Sequence, residues 1–197
     1  MVTISRQAWP GGDEVARLLA QELGWRLLDN QAVERMLGEK GVPSVRFGAF
    51  DERRPDLWHR FSSEKDRYLH LLKLAGYEFA SRGECIVVGR GGQILFADVP
   101  GTARVRITAP LQDRVARAMR ELGGDERRAR QAVLHLDGER AGFHRFLFHV
   151  NWESPDLYDL VIDTHLISEA SAAALIRSTL GTEEVVIVAE MEPGLDG

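Results

Sequence analysis

The run Cys85-Ile86-Val87-Val88 carries four apolar residues with no polar alternation, and the chain turns at once through Gly89-Arg90-Gly91-Gly92. A strand written this way is covered on both faces, which is the habit of a parallel sheet flanked by helices. The rest of the chain keeps that pattern. Short apolar runs at 2–4, 26–28, 104–108 and 160–163 are each followed by a segment with helical spacing of its apolar residues. The helices are expected at about 13–23, from 30 onward, 63–81, 111–122, from 125 onward and from 169. Strand–helix alternation from end to end predicts an α/β, three-layer fold with helices on both faces of a five-stranded parallel sheet.

The punctuation agrees. Gly24 and the Gly123-Gly124 pair stand where two helices should stop, Pro110 where one should begin, and Asp29 and Ser168 where two can be capped. Residues 38–62 lose periodicity and read as an irregular insert or a small mobile subdomain, and 184–189 (EVVIVA) reads as an edge strand before an acidic tail. The single expected domain runs over 1–183.

In a parallel sheet of this kind ligands sit beyond the carboxyl ends of the strands. Those ends hold Ser5–Gly12, Asp29, Gly89–Gly92, Thr108 and Asp163–His165. The first of them, SRQAWPGG before a helix, has the layout of a phosphate-binding loop without its lysine, since Gly12 occupies that position. Backbone N–H groups and the dipole at a helix head can hold an anion unaided. A tight turn with no ligand is the plain alternative. Arg90 between glycines suits bidentate phosphate recognition, against a surface turn. Arg114, Arg117 and Arg120 recur one helical turn apart, as does the Asp137/Arg140 pair; a solvated helix face is the competing account.

A net charge of −5 argues against a nucleic acid polymer as partner, and no apolar stretch reaches membrane-spanning length. The lone Cys85 excludes a disulfide framework. His144, Arg145 and His149 share one segment with no carboxylate–histidine spacing, so no metal cluster is expected from protein ligands. A strand begins almost at the first residue, so no signal peptide is visible, and a cytoplasmic protein is the expectation.

TISRQ…GGDEVA, LLDNQAVE, DERRP, CIVVGRGGQIL, ARVRITAPLQDRVARAM, LDGERAGFHRF and NWESPDLYDLVIDTHLIS, in that order and spacing, resemble the cytidylate kinase-like family over roughly 2–180. The resemblance implies a P-loop NTPase fold of the nucleoside monophosphate kinase kind and phosphoryl transfer from ATP, with Mg²⁺, to a nucleoside monophosphate, with CMP or dCMP as the expected acceptor. It implies Arg6, Arg90, Arg114 and Arg140 around the transferring group. It implies Ser5, Gln7, Gly11, Gly12, Asp13, Glu14, Thr164 and His165 at the donor nucleotide. It implies Asp29, Arg53, Gly91, Arg117 and Asp137 at the acceptor, and 38–62 and 125–150 as segments that close over substrate. Trp9 and Pro10 depart from the family's Gly and Ser, and an indole there could narrow the cradle. A nucleotide-sensing module without activity, or a kinase for another small phosphate acceptor, are the alternatives.

Overall fold

The protein is described by a computed structural model covering residues 1–39 and 65–180. Arg53, nearly all of the 38–62 insert and the expected strand at 184–189 lie outside the described residues. Five strands form one all-parallel sheet: β1 (Val2–Arg6), β2 (Arg26–Leu28), β3 (Cys85–Val88), β4 (Ala103–Thr108) and β5 (Leu160–Asp163), in the order β2-β3-β1-β4-β5. The helices are α1 (Gly12–Leu23), α2 (Asn30–Glu39), α3 (Lys65–Ala80), the single turn α4 (Gly92–Leu95), α5 (Leu111–Leu122), α6 (Glu126–Phe148) and α7 (Glu169–Thr179), with a 3₁₀ turn at Pro155–Leu157.

The two most completely buried strands, β1 and β3, are neighbours in the interior of the sheet. Every residue of β1 and of β3 is buried, as the unbroken apolar run of β3 predicts. Alternate residues feed two cores. Val2 and Ile4, Ile86 and Val88, Val105 and Ile107, and Ile162 pack against Val15, Ala16 and Leu19 of α1 and Ala172, Ala173 and Ile176 of α7. The opposite face takes Leu28 and Val87 against Val33 and Leu37 of α2, Tyr68, Leu72 and Ala75 of α3, and Phe143 and Leu147 of α6. Burying each such Val, Leu or Ile contributes about 1.5–3 kcal/mol before entropy is counted. A third, small cluster of Ala8, Val115, Ala118, Ala129 and Val133 fastens the loop after β1 to α5 and α6.

Helix ends follow the expected signals. Ser168 Oγ accepts from the Ser171 amide, Asp125 accepts from the Arg128 amide, and the chain leaves α1 at Gly24. Leu175 is a departure. It shares the apolar spacing of Ala172 and Ile176 yet is 43 % exposed, because α7 turns Ala172, Ala173 and Ile176 to the sheet. Residues 126–148 are one uninterrupted helix, packed against α5 at its start and against the α2–α3 core at its end. Among the described residues no helix is long and apolar enough to cross a membrane.

Candidate functional site

The carboxyl end of β1 passes into a loop whose every turn is tied down. Gln7 donates its amide to Ile107 O, and its Oε1 accepts from the Ala109 amide, so it bridges to β4. The Ala8 amide donates to Asp137 Oδ1 at 2.8 Å. Arg114, 5 % exposed, donates to the carbonyls of Ala109 and Ala8 and to Asp137 Oδ2 at 2.5 Å. The Pro10 carbonyl accepts from Thr164 Oγ1 at 2.6 Å. Arg140 Nη1 donates to the Arg6 carbonyl. Helices α5 and α6 and the end of β5 therefore fix the loop from three sides.

The loop delivers the chain to α1 through Gly11, at φ 83°, a backbone conformation that costs glycine nothing. The first amides of α1 have no intrahelical acceptor and face outward from the helix head. They open on a cleft of about 850 Å³ lined by the Ala8–Glu14 loop, by Arg117, Arg120 and Glu121 of α5, by Leu136 and Arg140 of α6, and by Glu169 of α7. Gly11 borders this cleft so tightly that a Cβ there would lie 2.5 Å from Glu169 Oε1 and 2.8 Å from Arg117 Nη1. Three arginines of the lining face four carboxylates, Asp13, Glu14, Glu121 and Glu169. The cradle is thus not a simple positive patch.

Several carboxylates are already engaged. Asp13 accepts from Arg6 Nε at 2.9 Å, and Glu169 from Arg117 Nη1 at 2.7 Å. The Arg17 guanidinium, hydrogen-bonded to Glu14, holds that carboxyl below its usual range. Trp9 sits at φ 58° on the cleft wall, and its Nε1 donates to Glu121 Oε2 at 2.8 Å. The indole packs beside the Val115–Val133 cluster and is itself part of the cleft lining.

Arg90 lies on the other side of β1, at the end of β3, held at φ 54° and 3 % exposed. Its Nε donates to Asn30 Oδ1, its Nη1 to the Tyr68 hydroxyl, and Nη2 stands 3.6 Å from Glu34. Gly91 follows in the left-handed region, and any Cβ there would collide with the Phe148 ring. Ser5 is buried, with Tyr158 Oη at 3.2 Å from its Oγ; that hydroxyl donates to Trp152 O at 2.6 Å.

The expected site residues thus divide. Gly11, Gly12, Asp13, Glu14, Arg117 and Arg140 line one cleft, with Arg6 paired to Asp13 at its edge. Arg114, Asp137 and Thr164 hold the loop's backbone from behind, and Gln7 ties it to the end of β4. Asp29 caps α2 through the Ala32 amide, the plain alternative at that position. His165 is exposed on β5's trailing loop, with Nδ1 at 2.5 Å from Asp113 Oδ2. Glu121 and Glu169 carry no signal in the sequence, since their place in the cleft depends on how α5 and α7 pack against the loop. The helical spacing of Arg117 and Arg120 was the signal for that wall of α5.

The model of the family described as "Cytidylate kinase-like family" matches residues 1–166. The chain belongs to that family. It is 28% identical over 184 residues to a protein named cytidylate kinase from Ignicoccus hospitalis, covering 91% of this chain and 98% of the relative. A cytidylate kinase from Methanopyrus kandleri is 25% identical over 189 residues, covering 91% and 92%. Among solved structures, shikimate kinase from Acinetobacter baumannii in complex with shikimate superposes with a TM-score of 0.52 at 16% identity, over 91% of each chain. The fold is that of the P-loop kinases, and this member of the family carries it without the loop lysine. Membership and fold together support a kinase acting on a nucleotide or another small molecule.

Proposed function

We propose that the protein transfers the terminal phosphoryl group of ATP to a nucleoside monophosphate, CMP or dCMP. The observation that carries this reading is the cleft at the head of α1, where outward-facing backbone amides meet Arg117, Arg120 and Arg140 from two other helices. Donor phosphates lie on the amides of the α1 head, favoured by its dipole. Arg140, anchored to the loop through the Arg6 carbonyl, and Arg117 supply guanidinium groups to the phosphate oxygens. Arg90, preset by Asn30 and Tyr68, receives the acceptor's phosphate from the β3 side.

An oxygen of the acceptor phosphate attacks the γ-phosphorus, and the bond from that phosphorus to the bridging oxygen breaks to release ADP. The second ionisation of a phosphate monoester lies near pH 6, so the attacking oxygen is already anionic and no side chain must take a proton. The chain's contribution is position and charge neutralisation. Asp13 and Glu14 offer hard carboxylate oxygens at the head of α1, and no group of three or more acids or histidines that could hold a metal occurs among the described residues. That donor set suits Mg²⁺, which takes one or two carboxylates and completes its shell with phosphate oxygens and water. Bound there, the ion would neutralise part of the phosphate charge.

A sensor that binds nucleotide without turnover is the second reading, favoured by the four carboxylates in the cleft. Coupled ADP-release assays with Mg²⁺ and a panel of acceptors test both. Turnover with CMP or dCMP is the expected result. ATP binding with no turnover on any acceptor supports the sensor, and turnover only with a different phosphate acceptor moves the assignment to that acceptor.

A further inference from the structure

The first residue of α7 reaches across to the loop before α1. Glu169 Oε1 accepts from Arg117 Nη1 at 2.7 Å, and both atoms crowd the face of Gly11, within 2.5 and 2.8 Å of where a Cβ would stand. The pair is shielded, with side chains 25% and 30% exposed, so its attraction exceeds that of an ion pair in open water. Glu169 also sits at the head of its own helix, close to the head of α1, where the dipoles favour a negative group. A carboxylate therefore rests among the donors that a phosphate would use.

We infer that Glu169 is an internal occupant of the phosphate cradle, and that an incoming polyphosphate must take Arg117 away from it. The inference rests on the reading of this cleft as the donor site. Glu169 and a phosphate cannot share one guanidinium and one helix head without repulsion. Binding therefore includes an exchange: the Arg117–Glu169 pair opens, and Arg117 turns to phosphate oxygen. The measured affinity is lowered by the cost of that opening, as for any site whose competent state is a minor one. Glu169 thereby sets the donor concentration at which the enzyme fills, without touching the transferring group.

Equilibrium titration with ATP and, separately, with inorganic tripolyphosphate tests this on the full chain. Glu169→Gln removes the charge at nearly constant shape, and Glu169→Ala is the second variant should the first fold poorly. Both are expected to bind either probe about tenfold more tightly than the wild type, the usual scale of a coupled site. In the Arg117→Ala background the same substitution should give a smaller gain, because the pair is already broken. A folded Glu169→Gln variant with wild-type affinity for ATP overturns the inference while leaving the donor site intact. A gain for ATP with none for tripolyphosphate also overturns it, since Glu169 would then act on the nucleoside. Binding of neither probe to wild type or variants removes the donor-site reading on which it stands.

Discussion

A Cβ placed on Gly12 would lie 2.6 Å from the Cβ of Arg6 and 3.0 Å from its Cγ. The absent lysine of the loop is therefore not an unfilled position: the stem of Arg6, buried to 6% exposure, holds that space. Restoring a lysine should fail. Gly12→Lys is expected to lose about 1–3 kcal/mol of stability through overpacking, read by urea unfolding, and to bind ATP more weakly. A variant of unchanged stability with tighter ATP binding contradicts this packing account.

The Asp137 carboxylate serves two masters, the Ala8 amide at 2.8 Å and the largely buried Arg114 guanidinium at 2.5 Å. Asp137→Asn leaves that guanidinium without its counter-charge. The expected cost is about 3 kcal/mol, seen as a lowered denaturant midpoint. ATP affinity should fall with it, because the loop loses its anchor. Wild-type stability in the variant would show that the pair holds nothing.

Arg90 reads differently on its two sides. Its Nε and Nη1 are spent on Asn30 and Tyr68, which aim the guanidinium. Lysine cannot make that fork. Arg90→Lys is therefore expected to lower kcat/KM for the acceptor about 10- to 100-fold, the range for losing a hydrogen bond to a charged group. The dissociation constant for ATP should stay unchanged. Loss of ATP affinity with normal acceptor dependence would place Arg90 at the donor instead.

The sheet was legible before its order was. The unbroken apolar run at 85–88 marked β3 as covered on both faces, and glycine, proline and serine marked the helix ends, because those signals are local. The order β2-β3-β1-β4-β5 depends on pairings between segments dozens of residues apart, which no local pattern states. The site was half legible for a related reason. Helical spacing put Arg114, Arg117 and Arg120 on neighbouring turns, but only packing decides that Arg114 turns inward to Ala8 while the other two border the cleft. Thr164 was expected at the donor base, yet its hydroxyl holds the Pro10 carbonyl. Glu169 gained its meaning from a contact with α5, 52 residues away in sequence.

The start of β5 carries a pH-sensitive tie. Asp159 is hydrogen-bonded to the Arg104 side chain and to its backbone amide, and the Arg104 guanidinium chiefly holds the Asp159 carboxyl below its usual range. A depressed carboxylate stabilises the fold above its unfolded value and ceases to do so as pH falls through the folded one. Its side chain is 47% exposed, so the contribution is modest, at most about 1 kcal/mol. Asp159→Asn should be less stable than wild type near neutrality and equal to it at strongly acidic pH, by thermal unfolding. A difference that persists undiminished in acid would assign the effect to packing.

All of this depends on amides at the head of α1 and guanidiniums from α5 and α6 holding polyphosphate without a loop lysine. Calorimetric titration of ATP with Mg²⁺ into the wild type and into Arg140→Ala tests it most directly. Saturable binding at one site per chain is predicted for the wild type, weakened about 10- to 100-fold in the variant. A wild type that binds no ATP, or a folded Arg140→Ala that binds it equally well, would contradict it.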